Sequence, residues 1–171
     1  ARRPQPPPST LTTLHDVVHR TLELLRPDLD NRGITVKAQL ARALPKAPID
    51  PAQTQQALVN LVKNAMQAMT RGGTLTVRTG ENAEAVWVSV ADTGVGMSEE
   101  VRARVFEPFF TTKDVGRGTG LGLSVVYGVA RQHNGWVECH SEIGRGSRVA
   151  VYLPYANRGP PPAIPIDPGA P

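Results

Sequence analysis

Between residues 11 and 156 the apolar positions switch repeatedly between helical spacing and strand alternation, and that switching restricts the fold more than any other property. Thr13 with Asp16 reads as a capped helix start, with Leu14, Val17, Val18, Leu22 and Leu25 on one face and Gly33 closing it. Residues 34–40 alternate as a strand. Asp50-Pro51 followed by Gln53 reads as an N-cap, a first-turn proline and a returning amide, opening a second helix to about Met69. Residues 75–79 and 85–90 predict neighbouring strands, Ser98 caps a short helix, and an irregular stretch runs from Phe106 to Gly118. A third long helix is expected from about Thr119 to His133, then strands over 136–140 and 148–153 around Gly144-Arg145-Gly146. This mixture predicts a two-layer α/β sandwich, a mixed sheet with one face covered by helices.

The 171 residues suffice for one hydrophobic core. Residues 1–10 read as a linker and residues 157–171 as a disordered proline-rich tail or linker, because neither holds enough large apolar side chains to offset ordering. Met66 is the first methionine, so the chain is expected to be part of a longer protein. No apolar run reaches membrane-spanning length, so no membrane contact is expected of this domain. The single cysteine, Cys139, precludes an intramolecular disulfide and a zinc cluster, and a reducing cytoplasmic setting fits. A net charge of +4 invites a nucleic-acid reading. The basic residues are scattered, however, and no stripe interleaves them with aromatics, so no nucleic acid is expected.

The second helix is chemically unusual. At 100° per residue, Gln53, Gln56, Asn60, Lys63, Asn64 and Gln67 fall within about 60° of one line, opposite Leu58, Leu61, Val62, Ala65 and Met69. A plain amphipathic helix explains the pattern, but surface helices usually carry Glu and Lys rather than amides. Asparagine is a poor helix former, and its amide oxygen suits magnesium whose other ligands are phosphates and water. No Asp or Glu occurs between Pro51 and Gly80, so the helix offers no general base for hydrolysis.

Three further blocks follow in order. An apolar strand delivers Asp92 into Thr93-Gly94-Val95-Gly96-Met97, where a carboxylate could accept from an adenine amine and glycines admit the ring. The same triplet also fits an aspartic protease, which needs a second aspartate, or a carboxylate capping the next helix. Phe106, Phe109 and Phe110 gather around Pro108 as the anchors of a hinged lid or as core, with Lys113 placed to meet phosphate. Gly116, Gly118, Gly120 and Gly122 alternate into a helix start, an anion site or a flexible linker. Neither a P-loop nor a dinucleotide fingerprint fits the run.

Asn60-Leu61-Val62-Lys63-Asn64-Ala65, Asp92 to Met97, Phe106 to Lys113 and Gly118 to Leu123 resemble the N, G1, F and G2 boxes of sensor histidine kinases. Gly144-Arg145-Gly146-Ser147 is similar to the closing glycine motif, and residues 109–113 with 64–69 resemble the nitrogen-regulation subgroup. The resemblance covers about residues 11 to 154. It implies a mostly antiparallel sheet with an ATP lid, within a catalytic ATP-binding domain spanning residues 11–156. It also implies that Asn64 binds Mg2+, Asn60 and Gln67 lie beside the nucleotide, and Asp92 holds the adenine amine among Gly94, Gly96, Met97 and Ser147. Lys113, Gly118, Thr119, Gly120, Leu121 and Gly122 would meet phosphates, with Asn60 and Lys113 in catalytic roles. Related ATPases carry Glu at the position of Asn60. Two positions depart from the family pattern: no aromatic closes the N box, leaving Met66 or Met69 to pack on adenine, and Ser147-Arg148 stands where Thr and an apolar pair are usual.

The resemblance implies transfer of the γ-phosphoryl group of ATP to a histidine on a separate dimerisation domain, serving a response regulator, with the isolated domain monomeric. Membrane anchoring of the parent protein stays open. His15 and His19, whose spacing also suits a metal pair, lack the proline that follows the phosphoacceptor and read as surface or boundary positions on a packing helix. An anti-sigma-type serine kinase, a stand-alone ATPase and a non-catalytic nucleotide sensor remain alternatives.

Overall fold

Thr13 starts the first helix as its sequence predicts: its side chain accepts from the Asp16 N–H at 3.4 Å, and α1 runs over Leu14–Asn31. The computed structural model describes residues 13–107 and 122–155. Strand β1 follows at Ile34–Gln39, and helix α2 at Pro51–Ala68. Asp50 caps α2, its carboxylate accepting from the Ala52 and Gln53 N–H groups at 3.0 and 3.1 Å. Those bonds satisfy two of the donors a helix start leaves open. Strands β2 (Gly73–Glu81) and β3 (Ala85–Asp92), the short helix α3 (Glu99–Arg102), helix α4 (Gly122–Gln132), and strands β4 (Trp136–Glu142) and β5 (Gly146–Pro154) complete the order. Four of the five strands overrun their predicted ends; in β2 and β5, cross-strand pairing carries Gly73, Gly80 and Gly146 into regular ladders despite their poor strand propensity.

The sheet order is β1-β2-β3-β5-β4. Among the described strands only the β1–β2 pair is parallel; α2 lies between them in sequence and supplies the crossover that a parallel pair requires. The other three pairings are antiparallel. Alternation places Leu75, Val77, Val86, Val88, Val90, Val149, Val151, Leu153, Val137 and Cys139 in one buried face, where they join the apolar faces of α1, α2 and α4. The predicted two-layer sandwich is therefore present, with α2 contacting both α1 and α4. Phe106 belongs to this core and packs 6.0 Å from the Tyr127 ring; Phe109 and Phe110 lie outside the described residues.

The opposite face carries an aromatic row. Trp136 stacks on Tyr152 at 4.9 Å, Trp87 lies 6.5 Å from Tyr152, and the Trp87 ring covers Gly80 of the neighbouring strand. Cross-strand pairs of this kind stabilise a sheet locally without helical cover. Among the described residues no helix is long and apolar enough to cross a membrane.

His133 performs a task its sequence gives no sign of. Its Nδ1 bonds to the Val129 carbonyl at 2.8 Å, and its Nε2 accepts the Asp50 N–H at 2.9 Å. The carbonyl can only accept, so the proton sits on Nδ1. The imidazole thus ties the end of α4 to the start of α2.

Candidate functional site

The helix-facing rows are apolar along most of their length and turn polar at one end. Continuing the alternation past Val90, Val149 and Cys139 brings Asp92, Ser147 and Ser141 to that end of β3, β5 and β4. Asp92 pairs with Leu75, Ser147 pairs with Ser141, and the Ala91–Arg148 pair sets Asp92 beside Ser147.

One carboxylate oxygen of Asp92 is occupied from both sides. Its Oδ1 accepts the Gly94 N–H at 2.8 Å and the Ser147 N–H at 3.3 Å. No hydrogen bond among the described residues engages Oδ2. Burial pushes the Asp92 carboxyl above its ordinary value, and the bonds from Gly94 and Ser147 hold it back. The result is a partly buried acid with one oxygen held by two backbone N–H groups and one without a hydrogen bond among the described residues.

The turn after Asp92 is wedged between α2 and the β4–β5 hairpin. Val95 donates its N–H to the Ala68 carbonyl at 3.1 Å, and Gly144 donates to the Val95 carbonyl at 2.8 Å. Gly96 has φ +71°, and a Cβ there would strike the Glu142 carbonyl; Gly146 has φ +109°, and a Cβ there would strike the Asp92 carbonyl. Both positions need glycine for conformation and for space. Met97 is partly buried against the core, and its N–H donates to Ser141 Oγ at 2.7 Å.

Across from this turn, α2 presents its amides. Asn60 and Asn64 are partly buried one turn apart, while Gln67 is exposed. The Asn64 Nδ2 position is buried and has no hydrogen-bond partner among the described residues. Gly122, which opens α4, stands against it: a Cβ on Gly122 would lie 3.0 Å from that atom. Amide oxygen and nitrogen are assigned by their partners, so an unpartnered amide can present either end. An orphaned carboxamide is a hard, neutral donor for Mg2+, provided a ligand's own oxygens complete the shell. That proviso follows from the donor set, since no group of three acidic, His or Cys side chains converges among the described residues.

Of the residues expected at the site, Asn60, Asn64, Asp92, Gly94, Gly96, Met97, Gly122 and Ser147 are therefore described, with Gln67 more exposed than the rest. Lys113, Gly118, Thr119, Gly120 and Leu121 lie outside the described residues. Met66 and Met69 are each 2% exposed and belong to the core; Met69 Sδ accepts the Thr93 hydroxyl at 3.7 Å. Sequence reasoning missed Ser141 and Thr93. The first is visible only once strand parity is extended past Cys139, and the second once Thr93 Oγ1 is seen to take the Thr74 N–H at 3.0 Å.

A helix-backed sheet with a half-buried carboxylate at the end of one strand, beside a carboxamide-bearing helix, defines a class of ATP-dependent α/β sandwich. Within that class, the chain belongs to the family of histidine kinase-, DNA gyrase B- and HSP90-like ATPases, which residues 49–157 match. Similar curated proteins include the sensor kinase CckA of Brucella abortus, 40% identical across 78% of this chain and 16% of its own. The sensor histidine kinase ZraS of Escherichia coli K12 is 36% identical, across 82% of this chain and 30% of its own. The chain thus spans less than a third of the length of either relative. Among solved structures, the catalytic domain of the histidine kinase ThkA in a nucleotide-free form aligns with TM-score 0.74 and 26% identity, covering 84% of this chain and 93% of that domain. Full-length ShkA in complex with AMPPNP aligns with TM-score 0.73 and 29% identity, covering 85% of this chain and 31% of its own.

Proposed function

We propose that this chain is the catalytic ATP-binding domain of a sensor histidine kinase, holding Mg-ATP and donating its γ-phosphoryl group to a histidine on a separate dimerisation hairpin. The observation that carries the reading is the Asp92 carboxylate, saturated on Oδ1 by two backbone N–H groups and offering Oδ2 to an exocyclic amine. A similar protein, ShkA, has been solved with AMPPNP, which supports a triphosphate as the ligand. Asn64 would hold Mg2+ and Asn60 would lie beside the phosphates; the ion neutralises phosphate charge when bound. Lys113 and residues 118–121 are proposed to contact the phosphates.

The acceptor is proposed to come from elsewhere. Among the described histidines, His15 bonds to Thr79 Oγ1 at 2.9 Å, His133 bonds to Asp50, and His19 and His140 are exposed. The absence of any Asp or Glu from 51 to 80 favours transfer over hydrolysis, because no carboxylate on α2 can take a proton from water. A cytoplasmic setting, a monomeric isolated domain and a response-regulator partner belong to the same proposal.

The test uses γ-labelled ATP, Mg2+ and a histidine-kinase dimerisation hairpin, with the hairpin omitted in a parallel reaction. Acid-labile label on the hairpin is the expected result. Steady release of labelled phosphate without the hairpin, or acid-stable label, would overturn the proposal.

A further inference from the structure

Ser141 lies in none of the motifs discussed above, yet it is the junction of the base end of the pocket. Its Oγ lies 2.7 Å from the Met97 nitrogen, 2.7 Å from Ser147 Oγ and 3.1 Å from the Gly146 carbonyl. Hydroxyl protons can be assigned by counting donors. The Gly146 carbonyl can only accept, so the one assignment that satisfies all three contacts has Ser141 give it its single proton. Ser141 Oγ then accepts from Met97 N–H and from the Ser147 hydroxyl, and is saturated. Ser147 has used its proton and presents only lone pairs to the pocket, one strand from Asp92 Oδ2. Two acceptors in a row match a group that donates twice.

We infer that Ser141 is a positioning residue for base selectivity: by taking the Ser147 proton, it fixes the pocket to read a 6-amino purine and to oppose a 6-oxo purine. This rests on the nucleotide reading above. Without Ser141 Oγ, the Ser147 hydroxyl is free to rotate and donate, and an oxo group becomes tolerable. Losing one neutral hydrogen-bond preference corresponds to roughly a fivefold change in a binding ratio.

The experiment measures ADP and inosine diphosphate affinities by calorimetry for the wild type, Ser141→Ala and Ser141→Thr. The expected result is a preference for ADP in the wild type that falls roughly fivefold in Ser141→Ala and returns in Ser141→Thr. A purely structural role would weaken both nucleotides equally, and an unchanged ratio in Ser141→Ala overturns the inference. Ser147→Ala leaves the Met97–Ser141 bond in place and keeps the test decisive if Ser141→Ala fails to fold; its ratio should fall as well, and a ratio equal to wild type overturns the inference. ADP binding by the wild type with an unchanged ratio in Ser141→Ala refutes the role of Ser141 alone. A wild-type chain that binds neither nucleotide refutes the functional reading too.

Discussion

Replacing Asp92 by Asn should weaken nucleotide binding and strengthen the folded chain at neutral pH, two effects of opposite sign from one atom. The amide oxygen can still accept the Gly94 and Ser147 N–H groups, which lie 2.8 and 3.3 Å from Oδ1. The change therefore falls on the other atom, where an NH2 donor replaces the oxygen offered to the ligand's amine. A hydrogen bond to a charged group contributes about 1.5–3 kcal/mol, so affinity should fall roughly tenfold to a hundredfold. Stability moves the other way because burial raises the Asp92 carboxyl above its ordinary value of 3.8. A raised folded-state pKa means the folded chain binds this proton more tightly than the unfolded chain. The benefit is complete below the unfolded value and is lost as pH rises through the folded one, leaving a destabilising charge at neutrality. Asn carries no such charge. Calorimetry with Mg-ADP at pH 7, together with thermal melts from pH 3 to pH 8, measures both. The melting-temperature advantage of Asp92→Asn over wild type should grow as pH rises through the carboxyl range and then level off. Unchanged affinity, or an advantage that shrinks with rising pH, would refute the reasoning.

Three further outcomes follow from other parts of the structure. Gly122→Ala places a methyl 3.0 Å from Asn64 Nδ2, so it should raise the Mg2+ concentration needed for nucleotide binding about tenfold while barely changing the melting temperature, because Ala favours a helix start more than Gly; a magnesium titration checks it. His133→Ala leaves the Asp50 N–H without its acceptor and should destabilise by about 1–2 kcal/mol in urea unfolding, with the m-value unchanged. The Cys139 thiol is pushed by burial from 9.0 up to about 11, so its alkylation at pH 8 should be at least roughly a hundredfold slower in the folded chain than in urea.

The sequence made the helix starts legible because their signals are local. Thr13, Asp50 and Ser98 each accept from a backbone N–H two or three residues on, within reach of a short window. The apolar face of α2 was legible for the same reason, since period alone separates Leu58, Leu61 and Val62 from Asn60 and Asn64. What escaped depends on distant partners. The parallel β1–β2 pairing joins residues on either side of a whole helix, and the His133–Asp50 bond spans 83 positions. Strand ends were underestimated where glycine lowers local propensity but a paired neighbour keeps the ladder regular, as at Gly80 beside Trp87. At the site, Asp92 announced itself by chemistry, whereas Ser141 is an ordinary residue whose role comes from the strand beside it.

Both tryptophans of the chain, Trp87 and Trp136, stand in the row on the sheet face that none of the described helices covers, with the polar row of Asp92, Ser147 and Ser141 on the reverse side. Intrinsic ultraviolet emission therefore monitors whether the strands are assembled. A fluorescent nucleotide bound one sheet away would accept energy from the indoles, so folding and occupancy can be followed in one cuvette from a single excitation.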